Sequence, residues 1–192
     1  MKSFWLCFVP LFVAVDAIGV LPMFMGFTQD MDSGRIRRIL YQSVITAIAV
    51  ALIFLTGGTA ILKLLGITVS DFMIAGGILL FVISMSDLLS MEKSQRRIDP
   101  ESLGAVPLGV PLITGPAVLT TSILLMNEYG FFLTALSVVV NILIAGLVFS
   151  LAGPINRILG RAGAKTLSKI ASLLLAAIAV MIVRKGIMLL VG

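Results

Sequence analysis

Polar positions are sparse in this chain, and they cut an otherwise apolar sequence into six long stretches. A membrane-crossing helix needs roughly 20 mostly apolar residues. On that measure the pattern predicts spans at Phe4–Thr28, Ile39–Leu62, Ser70–Ser90, Gly104–Met126, Phe131–Gly153 and Thr166–Leu190. The connections are Asp30–Arg38, Lys63–Val69, Met91–Leu103, Asn127–Gly130 and Pro154–Lys165, the last basic and loop-like. Met91–Leu103 is the only extended hydrophilic segment, with Asp99-Pro100 reading as a turn. A cleavable leader is the competing explanation of an apolar start. Asp16 within the first run, and the lack of a small-x-small cleavage pattern, argue against it.

Two of the six stretches are irregular. Val9–Pro22, VPLFVAVDAIGVLP, is interrupted by Asp16, Gly19 and Pro22, with Pro10 near its start. Val110–Thr120, VPLITGPAVLT, carries Thr114, Gly115 and Pro116. Both open with Val-Pro-Leu and carry Val-Leu just after the interruption. Proline removes a backbone donor and glycine is a poor helix former. In hydrocarbon an unpaired backbone group costs several kcal/mol, so such breaks belong against protein or a wet cavity. Half-helices starting near Ile18 and Pro116 would aim their N–H groups and positive dipole ends into that cavity. Asp16 and Thr114 stand where N-caps belong, and Pro116 suits a first helical turn.

Asp16 is the sharpest single residue. A charge at mid-membrane costs at least about 2.5 kcal/mol and marks a polar pathway or an ion or proton relay. The competing reading is a carboxyl that only caps a half-helix. Asn141 either lines the cavity or bonds between helices. Thr120, with Thr121 and Ser122, offers hydroxyls to the cavity or to its own helix backbone. Gly76-Gly77, and Ser172 with Ala176, suit close helix packing.

Composition agrees with the pattern. The 192 residues are 59% hydrophobic and 12% charged, half the charged share of a soluble domain. Mean hydropathy is +1.17. The net charge of +5 sits in loops and is not interleaved with aromatics, so nucleic acid is not an expected partner; the lipid bilayer is. One cysteine, Cys7, rules out an internal disulfide, and no histidine is present, so neither a metal site nor a cofactor is expected. The loops after spans one, three and five hold ten Lys and Arg; the other face holds four. The positive-inside rule then puts those loops in the cytoplasm and both termini outside, with Arg184-Lys185 snorkelling to the far interface.

Three spans per half require two similar halves to insert in opposite senses. The interrupted stretches are offset by about 101 or 98 residues. Ile74–Met85 and Ile170–Met181 match at four of twelve positions with an offset of 96. The expected fold is therefore all-α integral membrane: six transmembrane helices as a 3+3 inverted repeat, helices 1 and 4 broken at mid-membrane. Residues 1–90 form the first repeat, 91–103 a cytoplasmic linker and 104–192 the inverted second repeat.

At Asp16–Phe24, DAIGVLPMF, and Pro111–Thr121, PLITGPAVLTT, the chain resembles the MarC family of bacterial inner-membrane proteins. The likeness covers nearly the whole chain. The first motif there usually reads Asp-Pro-x-Gly-x-x-Pro; Asp16, Gly19 and Pro22 match, and Ala17 replaces the proline. The second, Thr114-Gly115-Pro116 with Thr120, is intact apart from Ala117 where glycine is common. The resemblance implies a bacterial inner-membrane location, and members are described as small neutral amino-acid transporters.

The function expected is a secondary transporter or exporter of small zwitterionic metabolites, proton- or sodium-coupled. The Thr114–Pro116 turn would take the substrate carboxylate, and Asp16 its ammonium group or the coupling ion. The alternative is a non-transporting membrane protein in envelope assembly or stress response, ahead of drug efflux. An enzyme is not expected: there is no histidine base for a serine protease and no second deep carboxylate for an aspartyl one. The substrate, direction, coupling ion and oligomeric state, a homo-oligomer included, stay open at this level.

Overall fold

A computed structural model describes residues 2–28, 31–89 and 103–191 of the chain. The described residues are helical almost throughout. The helices are α1 (Lys2–Val15), α2 (Ala17–Phe27), α3 (Ser33–Leu65), α4 (Val69–Leu89), α5 (Pro116–Tyr129), α6 (Phe131–Ser150) and α7 (Ala152–Val191). An irregular, wide-turned segment, Gly104–Ile113, precedes α5. Among the described residues, five stretches are long and apolar enough to cross a membrane: Ser3–Phe27, Ser33–Leu65, Val69–Ser86, Phe131–Ile155 and Ser172–Val191. Gly104–Ile113 and Pro116–Tyr129, bent by 54°, count as a sixth if taken as one span.

Local chemistry sets the ends. Asp32 caps α3, its carboxylate accepting from the Arg35 N–H at 3.0 Å, and Gly66 closes it in the left-handed conformation. Gly130, at φ 84°, makes the whole turn between α5 and α6. One expectation needs correction. Pro154–Lys165 is helical and belongs to α7, with one kink at Gly160 (φ 64°, ψ 176°). Pro154 falls in the first turn, where a missing N–H costs no bond, and the residues after it are ordinary helix formers despite their charge. The linker 91–103 lies outside the described residues except for Leu103.

The helices bury narrow stripes and turn broad apolar faces outward. On α3 the buried positions are Ile39, Ser43, Ala47, Ala51, Leu55, Gly58 and Leu62, three or four residues apart. On α6, Leu136, Leu143 and Leu147 are exposed, whereas Thr134, Ser137 and Asn141 are buried. Small and polar residues inside with large apolar ones outside is the arrangement a lipid solvent favours. The tightest pair is α4 with α7. A Cβ on Gly77 would stand 3.0 Å from the Ala179 carbonyl, and one on Gly186 3.0 Å from the Ser70 carbonyl. Residues 77 and 179, and 70 and 186, thus meet in antiparallel register. Elsewhere α1 packs on α6, Gly104–Ile113 on α3, and α2 on α7. Phe24 of α2 stacks on Phe149 of α6 with ring centroids 5.0 Å apart.

Candidate functional site

The first interruption is one residue long. Asp16 lies at φ 43°, ψ 52°, and is the only non-glycine among the described residues at positive φ. This conformation costs an ordinary side chain roughly 1–2 kcal/mol, and Asp less, because its short carboxylate can bond locally. Here Oδ1 accepts from the Gly19 N–H at 3.1 Å and caps α2. The backbone passes from one helix to the next through this residue: the Asp16 N–H donates to the Phe12 carbonyl at 3.3 Å, and the Val20 N–H to the Asp16 carbonyl at 3.0 Å. A Cβ on Gly19 would run into the Asp16 carboxylate, so the cap keeps this geometry only with glycine there. Ala17 occupies the first helical position. A proline there would drive Asp16 toward extended backbone, away from the left-handed turn it makes in this chain. Pro22 lies inside α2, buried, and is not itself the break.

The second interruption is longer and built from backbone. Val106 and Val110, each before a proline, are extended (φ −133° and −137°) within the coil. The Thr114 N–H reaches back five residues to the Gly109 carbonyl at 3.0 Å. Thr114 is not the cap that its position suggested. Gly115 holds the N-cap position, and the Thr114 hydroxyl donates instead to the Ala47 carbonyl of α3 at 3.0 Å, tying the break to a neighbouring helix. Pro116 is the first residue of α5, which therefore begins without a capping side chain. The first bond within the helix is from the Leu119 N–H to the Gly115 carbonyl at 3.1 Å.

Asp16, Gly115 and Pro116 line one cavity of about 40 Å³. Its other walls include Pro111 and Ala117, with Leu80 of α4 and Leu175, Ile178 and Ile182 of α7. Among the described residues, Asp16 is the sole titratable side chain on it. At about 30 Å³ per molecule in the liquid, that is room for one or two waters. Its polar groups are of opposite character: a carboxylate on one wall, and on the other the uncapped start of a helix, which attracts anions.

The remaining expected residues lie elsewhere. Gly19 reaches the site only through its hydrogen bond to Asp16. The Thr120 hydroxyl is held by the Pro116 carbonyl at 2.8 Å, within its own helix. Asn141 sits between α6 and α1, its amide donating to the Phe8 carbonyl at 3.2 Å and the Ser137 carbonyl at 2.9 Å. The walls from α4 and α7 had no signal in the sequence, because an apolar residue facing a cavity looks like one facing lipid. Gly76 had a partial one: a Cβ on it would overlap the Pro116 ring, so its place in the glycine pair bears on the cavity wall.

The chain matches the MarC family of integral membrane proteins over residues 1–191. A UPF0056 membrane protein of Archaeoglobus fulgidus is 34% identical, with 97% of this chain and 93% of the relative aligned. Another from Methanocaldococcus jannaschii is 35% identical over 94% of this chain and 84% of its own length. A bacterial relative, from Buchnera aphidicola, is 32% identical over 86% of each. No solved structure matches the chain. The full-length match in sequence leads to one conclusion: this multi-pass integral membrane protein belongs to the MarC family.

Proposed function

We propose that the protein is a secondary transporter of small neutral amino acids or similar zwitterionic metabolites, coupled to a proton or sodium ion, and not an enzyme. The observation that carries this reading is the meeting of a carboxylate and an uncapped helix start on one cavity. A zwitterion has one charge for each. In this reading Asp16 takes the ammonium group or the coupling cation, and the Gly115–Pro116 turn takes the carboxylate. A cavity of about 40 Å³ is too small for an amino acid, so transport requires a second state in which the walls separate.

In this reading spans one and four are the broken members of an inverted 3+3 repeat, an arrangement that supports alternating access. The first interrupted span lies on α6, from the other half, and Gly104–Ile113 lies on α3, from the first half. Each half thus covers the other's middle helix. In this reading the basic loops face the cytoplasm, and both termini face outward.

The test is uptake of labelled glycine, alanine and serine into liposomes, comparing wild type with Asp16→Asn. Asparagine still offers an oxygen to the Gly19 N–H, so the helix start survives while the charge goes. Flux is expected to fall at least tenfold; unchanged flux removes Asp16 from the mechanism. The small cavity favours a second reading, a non-transporting protein of envelope assembly or stress response. Thermal stabilisation by neutral amino acids supports transport, and no ligand effect across a panel supports the other role.

A further inference from the structure

A cluster of cations that the cavity does not use stands at the start of α3. Arg35, Arg37 and Arg38 lie within one turn there, and all three are exposed. Asp32, the neighbouring acid, is committed to the helix start, its carboxylate accepting the Arg35 N–H at 3.0 Å. Among the described residues no carboxylate forms an ion pair with any of the three arginines. Arg37 is held by Tyr41 instead. Its Nη2 donates to the Tyr41 hydroxyl at 3.3 Å, and its guanidinium carbon lies 5.5 Å from the ring centroid.

The arginines head an exposed apolar strip. Arg38, Tyr41, Ile45, Ala49 and Ile53 are exposed at spacings of three or four residues. They lie on the side of α3 away from the buried Ile39, Ser43, Ala47 and Ala51. At about 100° per residue, Arg38 stands over the middle of this strip. Arg35 is then about 60° to one side, and Tyr41, holding Arg37, about 60° to the other. From Arg38 to Ala49 the helix rises about 16 Å, close to one leaflet of a hydrocarbon core about 30 Å thick.

We infer that this strip binds one anionic phospholipid, its phosphate against the arginines and an acyl chain along Tyr41, Ile45 and Ala49. The residue types select a phosphate. A guanidinium presents paired donors that match two phosphate oxygens, a bond that an ammonium does not make. They also select a lipid with net charge. A zwitterionic headgroup brings its own cation, which three neighbouring arginines repel. Tyr41 sits where an aromatic ring suits the boundary between headgroup and chain. By holding Arg37 it also lowers the entropy lost when the phosphate is bound. The assignment stands apart from the transport reading and from the orientation of the chain in the membrane.

The experiment is native mass spectrometry of the full chain, released from micelles containing equal phosphatidylglycerol and phosphatidylcholine with the same acyl chains. One retained phosphatidylglycerol is expected, at least tenfold over phosphatidylcholine. Arg37→Gln combined with Arg38→Gln is expected to cut that preference at least fivefold. Arg184→Gln combined with Lys185→Gln removes the same charge from exposed positions on α7, and is expected to leave it unchanged. Arg38→Lys keeps the charge and loses the paired bond, so about a twofold fall is expected. No preference in wild type, or an equal fall in the two double variants, overturns the site. Displacement of the lipid by excess glycerol phosphate also overturns it, in favour of a site for a soluble phosphate.

Discussion

The two interrupted stretches begin alike, with Val-Pro-Leu, and solve the same problem by different means. At the first, one side chain does the work: Asp16 turns left-handed, caps α2 through Gly19, and Ser3–Phe27 remains one continuous span. At the second, ten residues of wide-turned backbone lead into a helix that no side chain caps, and the two parts bend by 54°. The difference follows from where the hydrogen bonds go. A carboxylate can satisfy one N–H and leave the axis nearly straight. A break without such a group leaves its first N–H groups directed outward, and fixes itself to α3 through Thr114. One break therefore brings a carboxyl group to the cavity, and the other the uncapped start of a helix. The similarity in sequence is in the breaking; the chemistry is complementary.

The comparison fails or sharpens under substitution, beginning where the backbone cannot move. A Cβ on Gly115 would run into the Pro111 carbonyl, and one on Gly76 into the Pro116 ring. Gly115→Ala and Gly76→Ala are each expected to cost about 2–3 kcal/mol, the upper range for forcing atoms into a packed interior, measured by thermal unfolding in detergent. At the first break the obstacle is a side chain that can rotate away. Gly19→Ala is expected to cost about 1 kcal/mol, the worth of a cap, and to add little on top of Asp16→Ala. Equal costs for Gly19→Ala and Gly115→Ala would erase the distinction drawn between the two breaks.

Smaller effects follow. Thr114→Val keeps the shape and loses the hydroxyl bond to Ala47, at about 1 kcal/mol or less, because that carbonyl belongs to a continuous helix. The smallest concerns Asp32, an ordinary cap outside both breaks. Accepting the Arg35 N–H holds its carboxyl below the usual carboxylate range. A depressed folded-state value means stability present above the unfolded-state pKa and lost as pH falls through the folded one. Wild type is therefore expected to lose slightly more thermal stability on acidification than Asp32→Asn. A larger difference would show that an exposed cap rivals the buried breaks.

The spans were legible because apolar runs of membrane length carry a strong signal, and five of the six predicted stretches overlap the five helical stretches that are long and apolar enough to cross a membrane. Pro154–Lys165 misled because charge is common both in loops and at helix starts. Thr114 misled because capping preference is local, whereas its hydroxyl found a carbonyl 67 residues away in sequence. Asn141 read equally well as a cavity residue or as a bond between helices, and only packing placed it against Phe8.

Sequence alone determined the solvent this protein folds in, the number and approximate limits of its apolar stretches, and the two places where a helix would be hard to continue. Those properties depend on composition and on residues a few positions apart. Tertiary structure decided that Asp16 and the Gly115–Pro116 turn share a cavity, that α4 and α7 wall it with leucine and isoleucine, and that Gly76 stands against Pro116. These depend on which face of each helix meets which neighbour. In a chain whose helices are apolar on every side, hydrophobicity does not distinguish the face toward lipid from the face toward protein, and close packing of small residues makes that choice.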